Sequence, residues 1–170
     1  MYKRAITDDG QELGSSTSDE CKIDSIAQSW SVISEAGEKE KQQEAMDSVI
    51  EHLVDKENKI IKLLTPAFTG KKYDPGYISH YPIGVRENGG QYTHSSIWTI
   101  LALGKLNRID EALEYLEMIN PITHTESKEK SDKYKIEGYV IAGDVYSNPD
   151  MLGRGGWSWY TGSSSCLLYT

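Results

Sequence analysis

Apolar residues recur at helical spacing from Ile23 onward: Ile23, Ile26, Ala27, Trp30 and Ile33. Gly37 stops the pattern, so a helix is expected near 25–36, with Trp30 on its core side. The next stretch carries Ala45, Met46, Val49, Ile50, Leu53 and Val54 on one stripe with charges opposite, which predicts an amphipathic surface helix near 40–57. Residues 60–91 hold Pro66, Pro75, Pro82 and five glycines, at 70, 76, 84, 89 and 90, and read as a long loop. Loops of that length inside a domain usually serve function. Thr93 can cap a helix near 94–106 whose body, Ile97 to Leu106, is apolar on nearly every face and wants cover all round. Asp110 opens a short amphipathic helix near 110–119, closed by Asn120-Pro121. The stretch 122–135 is polar and expected to be exposed. His124 within it and His52 on the polar edge of the second helix read as ordinary surface residues. YVIAGDVY (139–146) fits a strand or a buried helix equally well by pattern.

Helix, polar loop and helix in alternation point to an all-α layered fold. A chain of 170 residues is long enough for one domain and for burial of roughly 70% of its unfolded surface. The net charge of −8 argues against nucleic acid or an anionic membrane as partner. No apolar run approaches the ~20 residues needed to span a bilayer. Cys21 and Cys166 are isolated thiols without metal spacing, expected to be reduced in a cytoplasmic protein. No metal cluster or dinucleotide fingerprint is present, and no cofactor is expected.

The chemistry gathers in two glycine-dense loops, GVRENGGQYTHSSIW (84–98) and GRGGWSWYTGS (153–163). Glycine lets backbone N–H groups approach a ligand, and a helix start favours an anion. Trp157, Trp159 and Tyr160 could form a wall against which a sugar stacks, or pack the loop on the body of the domain. Trp157 and Trp159 would share a face if extended. Arg86 and Glu87 could clamp sugar hydroxyls, or form an ion pair that fixes the loop. Gln91 and Tyr92 could bind hydroxyls, or cap the helix that follows. His94 sits at that helix start, either facing an anion or held structurally in the core. Thr161 and Gly162 read as a helix cap and its turn glycine. Glu137 and Asp144 flank YVIAG, and Asp144 reads as a structural hydrogen-bonder.

VRENGGQYTH before an apolar helix, then NPIT, EGYVIAGDVYSNP and GRGGWSWYTGS, resembles the C-terminal part of the glycoside hydrolase 94 catalytic domain. That family contains cellobiose, cellodextrin and chitobiose phosphorylases and the phosphorylase-like domain of cyclic β-1,2-glucan synthases. The motifs are most similar to the last branch. The resemblance implies an (α/α)6 ring, of which residues 1–170 would be a single partial domain, about its second half. It also makes 139–146 a helix. It implies inverting phosphorolysis of a β-linked glucose oligosaccharide or glucoside, with inorganic phosphate as co-substrate. In that reading His94, Thr161 and Gly162 contact phosphate. Arg86, Glu87, Gln91, Tyr92, Glu137, Trp157, Trp159 and Tyr160 face sugar, with Glu137 matching an acidic position of the family's EPY motif.

The family's general acid is an aspartate in a DWND-like motif, and no such motif occurs here. The catalytic list for this chain is therefore empty. Other departures are His80 in place of glycine, Gly138 in place of proline, and SSSCLLY in place of a tryptophan-containing helix start. The alternatives are a non-catalytic carbohydrate-binding or structural relative, and a generic helical interaction protein. A half-ring would expose the apolar helix at 97–106, so self-association, or docking to an N-terminal half, is expected.

Overall fold

The structure, a computed structural model, describes every residue except Tyr73, Tyr160 and Thr170; the side chains of Thr161, Cys166, Leu168 and Tyr169 also lie outside the description. Seven α-helices are present among the described residues: α1 (Ser25–Ile33), α2 (Lys39–Leu53), α3 (Thr93–Lys105), α4 (Ile109–Ile119), α5 (Pro121–Thr125), α6 (Lys128–Tyr134) and α7 (Thr161–Tyr169). Four small antiparallel ladders join them. β1 (Ala5–Ile6) pairs β2 (Glu12–Leu13), and β3 (Ile23–Asp24) pairs β6 (Leu64–Thr65). β4 (Val54–Asp55) pairs β5 (Ile60–Ile61), and β7 (Gln91–Tyr92) pairs β8 (Asp144–Val145).

The helix that is apolar on most faces is the axis of the domain. Ile97, Ile100, Ala102 and Leu103 of α3 are all buried, packed with Val32 of α1, Met46, Val49 and Leu53 of α2, and Tyr115, Met118 and Ile119 of α4. Leu167 of α7 also packs on this cluster. The expectation that α3 would be left bare is thus not met. Apolar surface remains instead at Trp30, Ile109 and Leu113, on the outer helices.

Helix ends follow local chemistry. Asp24 caps α1 by accepting from the Ile26 N–H at 2.8 Å and the Ala27 N–H at 3.3 Å. That helix stops at Ile33, short of Gly37, because Glu35 already takes a left-handed φ of 59°. The stripe predicted to run to 57 breaks at Val54, where the chain leaves α2 to pair with Ile60–Ile61. Trp30 is not a core residue. It is 41% exposed and meets Trp98 edge to face at 5.4 Å.

Two further expectations are corrected. Residues 122–135 form α5 and α6 rather than an exposed loop, and they bury Thr123, His124 and Tyr134. YVIAGDVY is not a helix. Its Asp144–Val145 is a strand, because Tyr92 and Asp144 stand opposite each other in the β7–β8 ladder. The protein is therefore helix-rich, with a helical core and a layer of loops tied together by short ladders.

Candidate functional site

The β7–β8 ladder brings the two glycine-dense loops together at the start of α3. Beside it, the Thr93 N–H donates to the Gly143 carbonyl at 3.0 Å, locking the helix start onto the second loop. Thr93 lies inside the helix, not at its cap, and its buried hydroxyl has no partner among the described residues. Tyr92 holds the cap position without a side-chain cap bond.

Residues 84–90 form a tight reversal. Gly84 N–H donates to Asn88 O at 2.8 Å, and Gly90 N–H to Arg86 O at 3.1 Å. Asn88 pins the turn from beneath. Fully buried, it accepts from Phe68 N–H at 2.8 Å and donates to the carbonyls of Phe68 at 3.0 Å and Tyr81 at 2.9 Å. The Gly84 carbonyl accepts from Ser147 N–H and Asn148 N–H, which fastens the reversal to the segment after β8. A Cβ on Gly84 would lie 2.4 Å from Asn148 N, at a φ of +78° that side chains resist.

The second loop folds back on β8. Gly156 N–H donates to Asp144 O at 2.8 Å, and a Cβ on Gly156 would lie 2.0 Å from Asp144 Oδ1. Glycine at 156 lets the carboxylate reach the Trp157 N–H, at 3.1 Å.

These contacts enclose a cavity of about 150 Å³ lined by Arg86, Glu87, Tyr92, Gly143, Asp144 and Trp157. Arg86, in the left-handed region with φ of 50°, lays its guanidinium 3.6 Å from the centre of the Trp157 ring. Tyr81 also faces that guanidinium, at 5.2 Å. Trp157 remains 54% exposed beside this fixed cation.

Two carboxylates complete the lining. Asp144 is 2% exposed; burial pushes its pKa above the usual carboxylate value, opposed by the Trp157 N–H and the Arg86 charge. Its Oδ2 has no hydrogen-bond partner among the described residues, and neither does the buried Oε2 of Glu87. The other Glu87 oxygen, Oε1, accepts from the Tyr77 hydroxyl at 3.5 Å. A buried acceptor left unmatched costs about 1–3 kcal/mol. Two of them beside a guanidinium and an aromatic face suit a ligand dense in hydroxyl donors.

Of the sugar-facing candidates, Arg86, Glu87, Tyr92 and Trp157 converge here. Gln91 does not: it is 1% exposed and its Oε1 accepts from the Ile61 N–H at 3.0 Å, bracing β7 against β5. Glu137 is exposed and outside the cavity lining. Trp159 is not among the lining residues; it meets Tyr139 edge on at 6.3 Å, both rings exposed. Tyr160 lies outside the described residues. Asp144, taken from sequence as a structural hydrogen-bonder, does accept from the Trp157 N–H, and it also lines the cavity.

His94 is the second residue of α3, half-buried and tilted on Trp98 at 4.6 Å. Burial lowers its pKa, favouring a neutral imidazole. Thr161 and Gly162 open α7, which packs against α3, but the Thr161 side chain lies outside the description. Among the described residues no His, Cys, Asp and Glu group could hold a metal ion, and no helix is long and apolar enough to cross a membrane.

The whole chain, residues 1–170, matches the family model described as the glycosyl hydrolase 94 superfamily, catalytic domain. The chain belongs to this family. It is 49% identical over 166 residues to the cyclic beta-(1,2)-glucan synthase NdvB of Rhizobium meliloti (strain 1021), covering 98% of this chain and 6% of that protein. It is 28% identical to the N,N'-diacetylchitobiose phosphorylase of Vibrio furnissii over 99% of this chain, and 27% identical to the solabiose phosphorylase of Paenibacillus borealis over 98%. It spans 20% and 21% of those two proteins.

Proposed function

We propose that this chain supplies sugar- and phosphate-binding residues to a phosphorylase-like catalytic domain that acts on β-linked glucose oligosaccharides by inverting phosphorolysis. The observation that carries the proposal is the cavity in which Arg86, Trp157, Glu87 and Asp144 meet at the start of α3. In it, Trp157 would stack on a sugar ring, Glu87 and Asp144 would accept from its hydroxyls, and Arg86 and Tyr92 would hold its oxygens. Phosphate, as co-substrate, would sit between His94 and the Thr161–Gly162 start of α7, where it gains from two helix termini. A neutral His94 would serve there as a hydrogen-bond donor rather than as a cation. A general acid would come from outside these residues, within the rest of an (α/α)6 ring. A cytoplasmic setting and docking through the apolar surface around Trp30 belong to the same reading.

The test is binding of a β-1,2-linked glucose disaccharide and of cellobiose to the wild type, Arg86→Ala and Trp157→Ala. Each substitution should weaken binding about tenfold or more, the worth of one stacked ring or one charge-assisted bond. Binding that survives both changes would remove the cavity from the mechanism. Release of sugar 1-phosphate by this chain alone should be negligible, since general acid catalysis contributes ~10²–10⁴-fold.

A further inference from the structure

A second cavity, of about 100 Å³, lies between the turn at 56–59 and α5 and α6. Lys59, Lys130 and Lys133 line it together with Glu57, His124 and Tyr134. The lining holds three lysines and one carboxylate, and Lys130 is paired with a second carboxylate, Glu126. The stem of Lys133 crosses Gly153, where a Cβ would lie 2.6 Å from its Cε, so this lysine is held over the cavity wall.

His124 forms the floor. It is 8% exposed and stacks flat on Tyr134, with ring centres 4.9 Å apart and planes at 10°. Its buried Nε2 has no partner among the described residues. With the other ring nitrogen as the N–H donor toward the Met118 backbone, Nε2 is an acceptor. The cavity thus combines several cationic donors with one buried acceptor, an arrangement that fits an oxyanion carrying its own proton. Its O–H would donate to Nε2 while its charged oxygens accept from the lysines. A fully deprotonated tetrahedral anion fits less well, because it would turn an oxygen toward the Nε2 lone pair.

We propose that this cavity binds the phosphate group in its hydrogen phosphate form, at a site separate from the one near His94. Free phosphate keeps an O–H at neutral pH, whereas a sugar phosphate, with its second pKa at about 6, offers one only as its monoanion. The experiment follows the imidazole nitrogens of His124 and His94 separately by NMR, in the whole chain near neutral pH. Inorganic phosphate, sulfate and glucose 1-phosphate are titrated in turn. Phosphate should shift His124 Nε2 in a saturable way, with sulfate about tenfold weaker. Of inorganic phosphate and glucose 1-phosphate, the tighter binder at His124 identifies the source. The double variant Lys59→Gln, Lys133→Gln should lose about tenfold in phosphate affinity while the His124 signals without phosphate stay in place. An absent or unsaturable response at His124, equal response to sulfate, or unchanged affinity in the double variant would overturn the site. Because His94 is read in the same spectra, failure at His124 is distinct from failure of the phosphate position near α3.

Discussion

The helical core and the loop layer above the start of α3 are stabilised by different means. In the core, Ile97, Leu103, Met46 and Tyr115 interlock across three helices, and burial of apolar surface supplies the favourable free energy. In the loop layer, segments 84–92 and 143–157 have few apolar side chains to bury. They are held by backbone hydrogen bonds, by Asn88, and by glycines that admit close approach. The core tolerates no loss of volume, whereas the layer tolerates no gain of it. The layer also carries the buried carboxylate oxygens of Asp144 and Glu87, which a core built for stability alone would exclude.

The largest expected effect is in the core. Leu103 is fully buried in the last turn of α3, so Leu103→Ala should cost about 2–5 kcal/mol through lost contacts and a residual cavity. Chemical denaturation measures it directly. A cost below that of every loop-layer substitution would break the contrast.

Gly84→Ala comes next. The added methyl meets Asn148 N at 2.4 Å and the backbone must hold φ of +78°, which costs about 1–3 kcal/mol in strain. Here the expected signature is a split. Sugar binding should be lost while the helical signal and most of the stability remain, because the reversal carrying Arg86 detaches from Ser147 and Asn148. Parallel melting and binding curves test it; intact binding in a folded variant would show that the two loops need not be joined.

The same contrast governs what the sequence reveals. Helices α1, α2 and α4 were legible because a 3.6-residue period repeats over two or more turns, and α3 because its body is apolar on nearly every face; their ends were overrun where a left-handed residue or strand pairing intervened, as at Glu35 and Val54. Two-residue strands have no period to read, so the pairing of Tyr92 with Asp144, the contact that assembles the cavity, left no local mark. Family motifs compensated, since they named Arg86, Glu87, Tyr92 and Trp157 without any account of how they meet. They also drew in Gln91, which braces β5 instead. His124 was missed for a related reason: α5 and α6 are too short for an amphipathic pattern to expose a buried position. Trp30 erred the other way, because periodicity marks a stripe and not its edge.

The smallest effect, and the sharpest test of the layer's charge, is Asp144→Asn. Burial raises the pKa of Asp144 from the ordinary value of 3.8, so the folded protein keeps a proton that the unfolded chain has already released. Between those two pKa values the native state binds more protons. Wild-type stability should therefore fall as pH rises through that window, with the penalty fully present above it. Asparagine keeps an oxygen to accept from the Trp157 N–H and carries no charge, so the variant should lack this slope and be no less stable at neutral pH. Denaturation midpoints across a pH series compare the two. Sugar affinity should fall in the variant, because an amide presents donors where the carboxylate presented an unmatched acceptor. Parallel pH profiles would show that Asp144 does not carry a buried charge in the fold, and unchanged affinity would return it to a purely structural role.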